Sequence, residues 1–129
     1  MLIPLLRLAA LLQILLGLLY LLTPHWLLAR MGHSGIAPDL AYPLAMLAAR
    51  FLAYGLGLWW AARQPGLHAP WLRLMTLIQL IDLGAGLFYT ATGVVPAALS
   101  ALPMANAVWI AIVCWQAAGP APAAQGRAA

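Results

Sequence analysis

The chain has 129 residues, of which 66% are hydrophobic and 6% charged, and its six arginines and two aspartates give a formal charge of +4. Soluble domains carry about a quarter of their residues as charges, so this composition excludes one, and the length suits a single compact bundle with no room for a second domain. The positive charge is spread along the chain, which argues against a nucleic-acid patch and for membrane topology, while the lone Cys114 excludes an intrachain disulfide and any Cys-pair zinc or iron–sulfur motif.

The first predicted helix covers residues 3–22. It is rich in leucine, with Gln13 as its one interior polar residue. The apolar run 8–22 is long and no small-residue cleavage site follows promptly, so it reads as a retained helix rather than a signal peptide. Pro24 ends it. Tyr20 and Trp26 suit the membrane–water boundary, where amphipathic rings settle. Residues 25–41 form the longest polar connection. Within it, WLLARM has the pattern of a short interfacial helix broken by Gly32 and Gly35, and Asp39 is placed to cap the next helix, with Pro43 in that helix's first turn.

The second helix is expected over residues 41–62, with Trp59 and Trp60 at its far boundary. A short loop, 63–70, leads to a third helix over 71–92. Gly93 and Pro96 mark a tight turn, and the fourth helix follows over 97–118, with Pro103 in an early turn. A rival reading starts the third span near Leu83, but it puts Pro96 in mid-span and leaves no linker before the fourth. The helical domain thus covers residues 1–118, and the Pro/Ala-rich stretch 119–129 reads as a disordered tail. Arg7, Arg63, Arg73 and Arg127 fall on one side of this scheme and only Arg30 on the other, partly offset by Asp39. The positive-inside rule then puts both termini in the cytoplasm. The fold expected is all-α, an integral membrane four-helix transmembrane bundle, and the lysine-free Ala/Leu/Arg composition suggests the inner membrane of a GC-rich bacterium.

Arg50 is the residue this scheme has to explain. Only residues 51–62 separate it from Arg63, about 18 Å of helix against a hydrocarbon core of about 30 Å. Arg50 therefore sits well inside the bilayer, where an arginine is costly and normally faces a partner in the bundle interior. Asp82 is the obvious partner. Measured from the side that carries the 25–41 connection, Gln13, Arg50, Asp82 and Asn106 each lie nine or ten residues into their helices, roughly 14 Å deep. One strong hydrogen-bonding residue per helix thus arrives at a similar level. Tyr54, four residues after Arg50, and Gln79, three before Asp82, share the relevant faces and are candidates for the same network. Ala53, Gly57, Ala61 and Gly86 would let the backbones approach closely.

Two readings of this polar layer stand side by side: a structural clasp that fixes helix register, and a functional layer forming a proton path or a pocket for a polar head group. His25, His33 and His68 all fall in loops or at boundaries, away from any membrane haem. His25 and His33, with Asp39, would make an outer-face metal or proton site if they met; solvated loop histidines are the simpler reading. Ser34 in GHSG lacks the full nucleophile-elbow pattern and its strand context. The tryptophans read as interface anchors and Cys114 as packing.

The Arg-then-Gly-rich second helix, Arg50 to Gly57, and a third helix with an internal acid, Asp82, resemble the small bacterial four-helix membrane proteins of the DoxX-like group. Some members of that group are described as accessory subunits of quinol-linked membrane complexes, and the resemblance implies such a role. The function expected is accordingly a structural or accessory subunit of a membrane complex or homo-oligomer, with the bilayer and other membrane subunits or itself as partners. The alternative is a small-molecule, lipid or quinone-binding membrane protein or transporter that uses the Arg50/Asp82 layer. A third reading is a membrane enzyme with Asp82 as acid or base. No cofactor is expected beyond a lipid or quinone. An accessible cavity reaching the layer discriminates these: a closed, internally satisfied layer favours the first reading, and an open pocket the others.

Overall fold

The computed structural model describes residues 1–120; the expected tail lies outside the described residues beyond Pro120. They form five α-helices joined by turns: α1 (Leu2–Leu22), α2 (Pro24–Arg30), α3 (Ala41–Ala61), α4 (Ala69–Ala91) and α5 (Ala97–Ala118), with short 3-10 turns at Pro38–Leu40 and Pro65–His68. Four of them, α1, α3, α4 and α5, are long and apolar enough to cross a membrane, the last two turns before α3 and α4 extending those runs. In lipid every backbone polar group must be satisfied within the segment, which is why continuous Leu/Ala runs appear as unbroken helices. At 21 residues, α1 and α3 each span about 32 Å, enough for the hydrocarbon core.

The boundaries follow local chemistry. α1 stops at Thr23, and Pro24 then occupies the first turn of α2, where its missing N–H costs nothing. α2 ends where Gly32 takes a φ of 94°, a conformation open to glycine without strain. α4 runs unbroken through Leu83 to Ala91 and Pro96 caps α5, which removes the rival third span. One expected cap is not made. Asp39 lies in the Pro38–Leu40 turn, and α3 opens from Leu40 with no side-chain cap; the 3-10 turn carries the chain straight into α3 and puts Leu40, not Asp39, at the capping position.

The four long helices pack as two pairs. α1 lies along α3 and α4 along α5, while contact between the pairs, α1 with α5 and α3 with α4, is sparse. Two glycines set the α1–α3 approach. A Cβ on Gly55 would lie 2.8 Å from the Ala10 carbonyl oxygen and 2.9 Å from the Ile14 nitrogen, and one on Gly17 would lie 3.0 Å from the Leu52 nitrogen. Backbones meet there as small residues allow in membrane interfaces. Of the small residues expected to do this, Ala61 is buried, but Ala53 is exposed, and Gly57 and Gly86 make room for the Trp71 and Met104 side chains rather than for a backbone.

The core lies at the end of the bundle that carries the chain termini. Leu6, Ala9 and Ala10 of α1, Leu58 and Ala61 of α3, Leu72 and Met75 of α4, and Ile110, Cys114 and Ala118 of α5 form one buried cluster there. Among the described residues the opposite end, towards α2, has no comparable cluster. The bundle is therefore closed at the terminal end and parted at the α2 end.

Candidate functional site

With the observed helix ends, Gln13, Arg50, Asp82 and Asn106 lie nine residues from Leu22, Ala41, Ala91 and Ala97 respectively, all at the α2 end. That is a common depth of about 14 Å. The structure brings all four to the wall of one cavity of about 570 Å³ between the two helix pairs. Gln79 lines it too. The volume is within the roughly 300–1,000 Å³ typical of small-molecule pockets.

Arg50 Nη2 donates to Asp82 Oδ2, an ion pair that bridges α3 and α4 across the sparse seam. The pair is not sealed: the two side chains keep 34% and 37% of their exposure, because the parted pairs leave the cavity beside them. The Arg50 guanidinium also lies 5.9 Å from the Phe51 ring centroid and 5.8 Å from that of Tyr54, within range of cation–π attraction. Its Nε is buried without a partner. A lone charge at this depth costs about 2.5–3.5 kcal/mol on insertion scales, and pairing removes much of that.

The amides behave differently from one another. Asn106 Oδ1 accepts a 2.9 Å bond from Trp109 Nε1 one turn along α5, which leaves its NH2 for the cavity. Gln13 is 1% exposed, and its Oε1 is buried with no hydrogen-bond partner. Gln79, 4% exposed, makes no side-chain hydrogen bond among the described residues either. An unpaired buried amide costs about 1–3 kcal/mol. The polar layer is thus charge-balanced by Arg50 and Asp82 but leaves the Gln13 oxygen buried without a partner among the described residues. Tyr54 meets the layer through its ring, over which the Arg50 guanidinium lies, and not through a hydrogen bond among the described residues. The same ring packs edge-on against Trp71 at 6.0 Å, and Tyr54 is not among the residues that line the cavity.

Above the layer the walls are apolar, built from leucines of α1 and α3 with Met104 and Pro103 of α5. Pro103 lacks the N–H that would bond back to Leu99, so it thins the α5 ladder at the cavity wall. Leu27 and Met31 of the α2 segment line the cavity at its other end. Tyr20, expected as an interface anchor, faces inward instead. It stacks on Phe51 at 5.6 Å, nearly parallel, and its hydroxyl donates to Met31 Sδ at 3.8 Å. Tyr20, Met31, Ser100 and Met104 are among the lining residues that the sequence reading missed. The spacing of Tyr20 seven residues after Gln13 was a usable signal, since that offset keeps one helix face.

His25, His33 and Asp39 are not brought together: among the described residues no three His, Cys, Asp or Glu side chains gather closely enough to hold a metal ion. His25 and Asp39 are exposed, so the loop that carries them presents them to the surroundings. Comparison with family models, with curated proteins and with solved structures finds no match to this chain. The cavity must therefore be read from its own chemistry. It can take up an elongated apolar molecule and offer hydrogen bonds to one polar end of it.

Proposed function

We propose that this multi-pass membrane protein binds a lipophilic small molecule, of the lipid or quinone kind, in the cavity between its helix pairs. One observation carries the reading. Gln13 is buried to 1% exposure with its carbonyl oxygen unpartnered, on the wall of a cavity of about 570 Å³ that also reaches Arg50, Asp82 and Asn106. A ligand head group that donates to the Gln13 oxygen supplies the partner that the protein itself does not. An accessory-subunit role, as in the DoxX-like proteins the sequence resembles, would be served by a sealed and internally satisfied layer. The open cavity weighs towards the ligand reading.

The orientation that goes with this proposal has both termini in the cytoplasm of a bacterial cell, with α2 and its loop on the outer side of the inner membrane. It is supported by Arg7, Arg63 and Arg73 at the terminal end against Arg30 alone at the other. The test is gentle purification from native membranes and mass spectrometry of the lipid extract. A single lipophile retained in near-stoichiometric amount, enriched over bulk lipid, supports the proposal. Bulk lipids in their membrane proportions, together with a stoichiometric larger complex, would instead make the chain an accessory subunit.

A further inference from the structure

The polar end of the cavity specifies its ligand more narrowly than lipophilic. Building on the binding role proposed above, we infer that the ligand carries an uncharged hydroxyl head, as in a long-chain alcohol, an acylglycerol or a phenol, held between Gln13 and Gln79.

Charge comes first. Arg50 and Asp82 line the cavity and neutralise each other. Among the described residues no other Arg, Lys, His, Asp or Glu lines it. An anionic head would meet the Asp82 carboxylate and have to draw Arg50 away from it, and a cationic head would have to do the reverse. Either leaves a net charge at mid-membrane depth, where charges are costly. A neutral head leaves the pair intact.

Hydrogen bonding comes second. Gln13 projects from α1 and Gln79 from α4, so the two amides come from opposite helix pairs. Both are more than nine-tenths buried and both line the cavity, and Gln13 Oε1 is buried with no hydrogen-bond partner among the described residues. Each amide offers a donor and an acceptor. A hydroxyl is the smallest neutral group that supplies both in return. An ester or ketone accepts only, and cannot supply the donor that the buried Gln13 oxygen lacks. Leu12, Leu15, Leu16, Leu47 and Leu102 then make the wall for an apolar tail directed towards Tyr20 and Met31.

The test uses three probes with one tail: oleyl alcohol, methyl oleate and oleate. Each is isotope-labelled and titrated against the full-length protein in phosphatidylcholine nanodiscs, with empty discs as the baseline. The alcohol should bind with about tenfold or greater preference over the ester and the carboxylate, the worth of one well-made hydrogen bond. Gln13→Leu and Gln79→Leu should each shrink that preference, by lowering alcohol binding more than methyl oleate binding. Gln79→Leu serves as the independent second variant should Gln13→Leu fail to assemble. Equal binding of alcohol and ester would overturn the head-group inference while leaving the cavity a ligand site. Tightest binding of oleate would overturn its neutrality. Retention of none of the probes above empty discs would overturn the binding role as well.

Discussion

Arg50 of α3 and Asp82 of α4 form an ion pair that crosses the seam between the two helix pairs, at the level where the packed core gives way to the cavity. It joins elements that otherwise touch little. Removing one partner leaves an uncompensated charge inside the membrane, and single losses from buried pairs cost about 3–5 kcal/mol. The partial exposure of this pair places Arg50→Gln and Asp82→Asn nearer about 2–3 kcal/mol. The double variant Arg50→Met with Asp82→Leu should recover most of the loss. Thermal unfolding of the four proteins in nanodiscs checks this; a double variant as unstable as the two single losses combined would contradict the pairing.

The α1–α3 seam depends on Gly17 and Gly55. Gly55→Ala puts a methyl within 2.8 Å of the Ala10 carbonyl oxygen, an overpacking clash worth about 1–3 kcal/mol. Gly84→Ala is the matched control. Gly84 lies within α4, and a methyl there meets nothing within 4 Å, so the change should be neutral or stabilising by up to about 1 kcal/mol. Unfolding midpoints measured side by side decide between the two.

The Thr90 hydroxyl donates 2.6 Å to the Gly86 carbonyl and lies 2.7 Å from the Ser100 hydroxyl, which ties α4 to α5 beside the cavity. Interhelical polar contacts in membranes are worth about 0.6 kcal/mol on average and rarely above about 1.7. Ser100→Ala should therefore lower stability by about 1 kcal/mol without unfolding the bundle. A larger loss in the same unfolding measurement would show that Ser100 supports more than this one contact.

The orientation can be read with impermeant maleimide. Cys114 is buried, and a Cys114→Ala background leaves no native thiol. In it, Ser34→Cys should label on intact cells and Gly66→Cys only after the membrane is opened, since both positions are exposed and lie at opposite ends of the bundle. The reverse pattern would place the termini outside.

The sequence carried the fold's outline because punctuation was strong. Pro24, Gly93 and Pro96 bounded the long apolar runs, so the common depth of Gln13, Arg50, Asp82 and Asn106 could be counted along the helices. The Arg50–Asp82 contact was legible for the same reason: interior charges are few, and each needs a partner. Which helices pair was not legible. Helices that are apolar all round have no polar face to show which side turns inward, and of the small residues singled out Ala61 is buried, while Ala53 is exposed and Gly57 and Gly86 face side chains; Gly17 and Gly55 meet backbone. The cavity was hidden too. It exists because the core closes only at the terminal end, a consequence of pairwise packing that residue spacing along one helix does not encode. The Asp39 cap fell to local competition from the 3-10 turn before α3.

The central claim is that the polar layer floors an occupied pocket rather than closing on itself. A crystal structure of the natively purified protein, grown from phospholipid bicelles, tests this most directly. The account predicts elongated non-protein density between the helix pairs, with its polar end within about 3 Å of the Gln13 amide. Helix pairs closed around the layer, with Gln13 bonded to Arg50 or Asn106 and no space left between them, would contradict it.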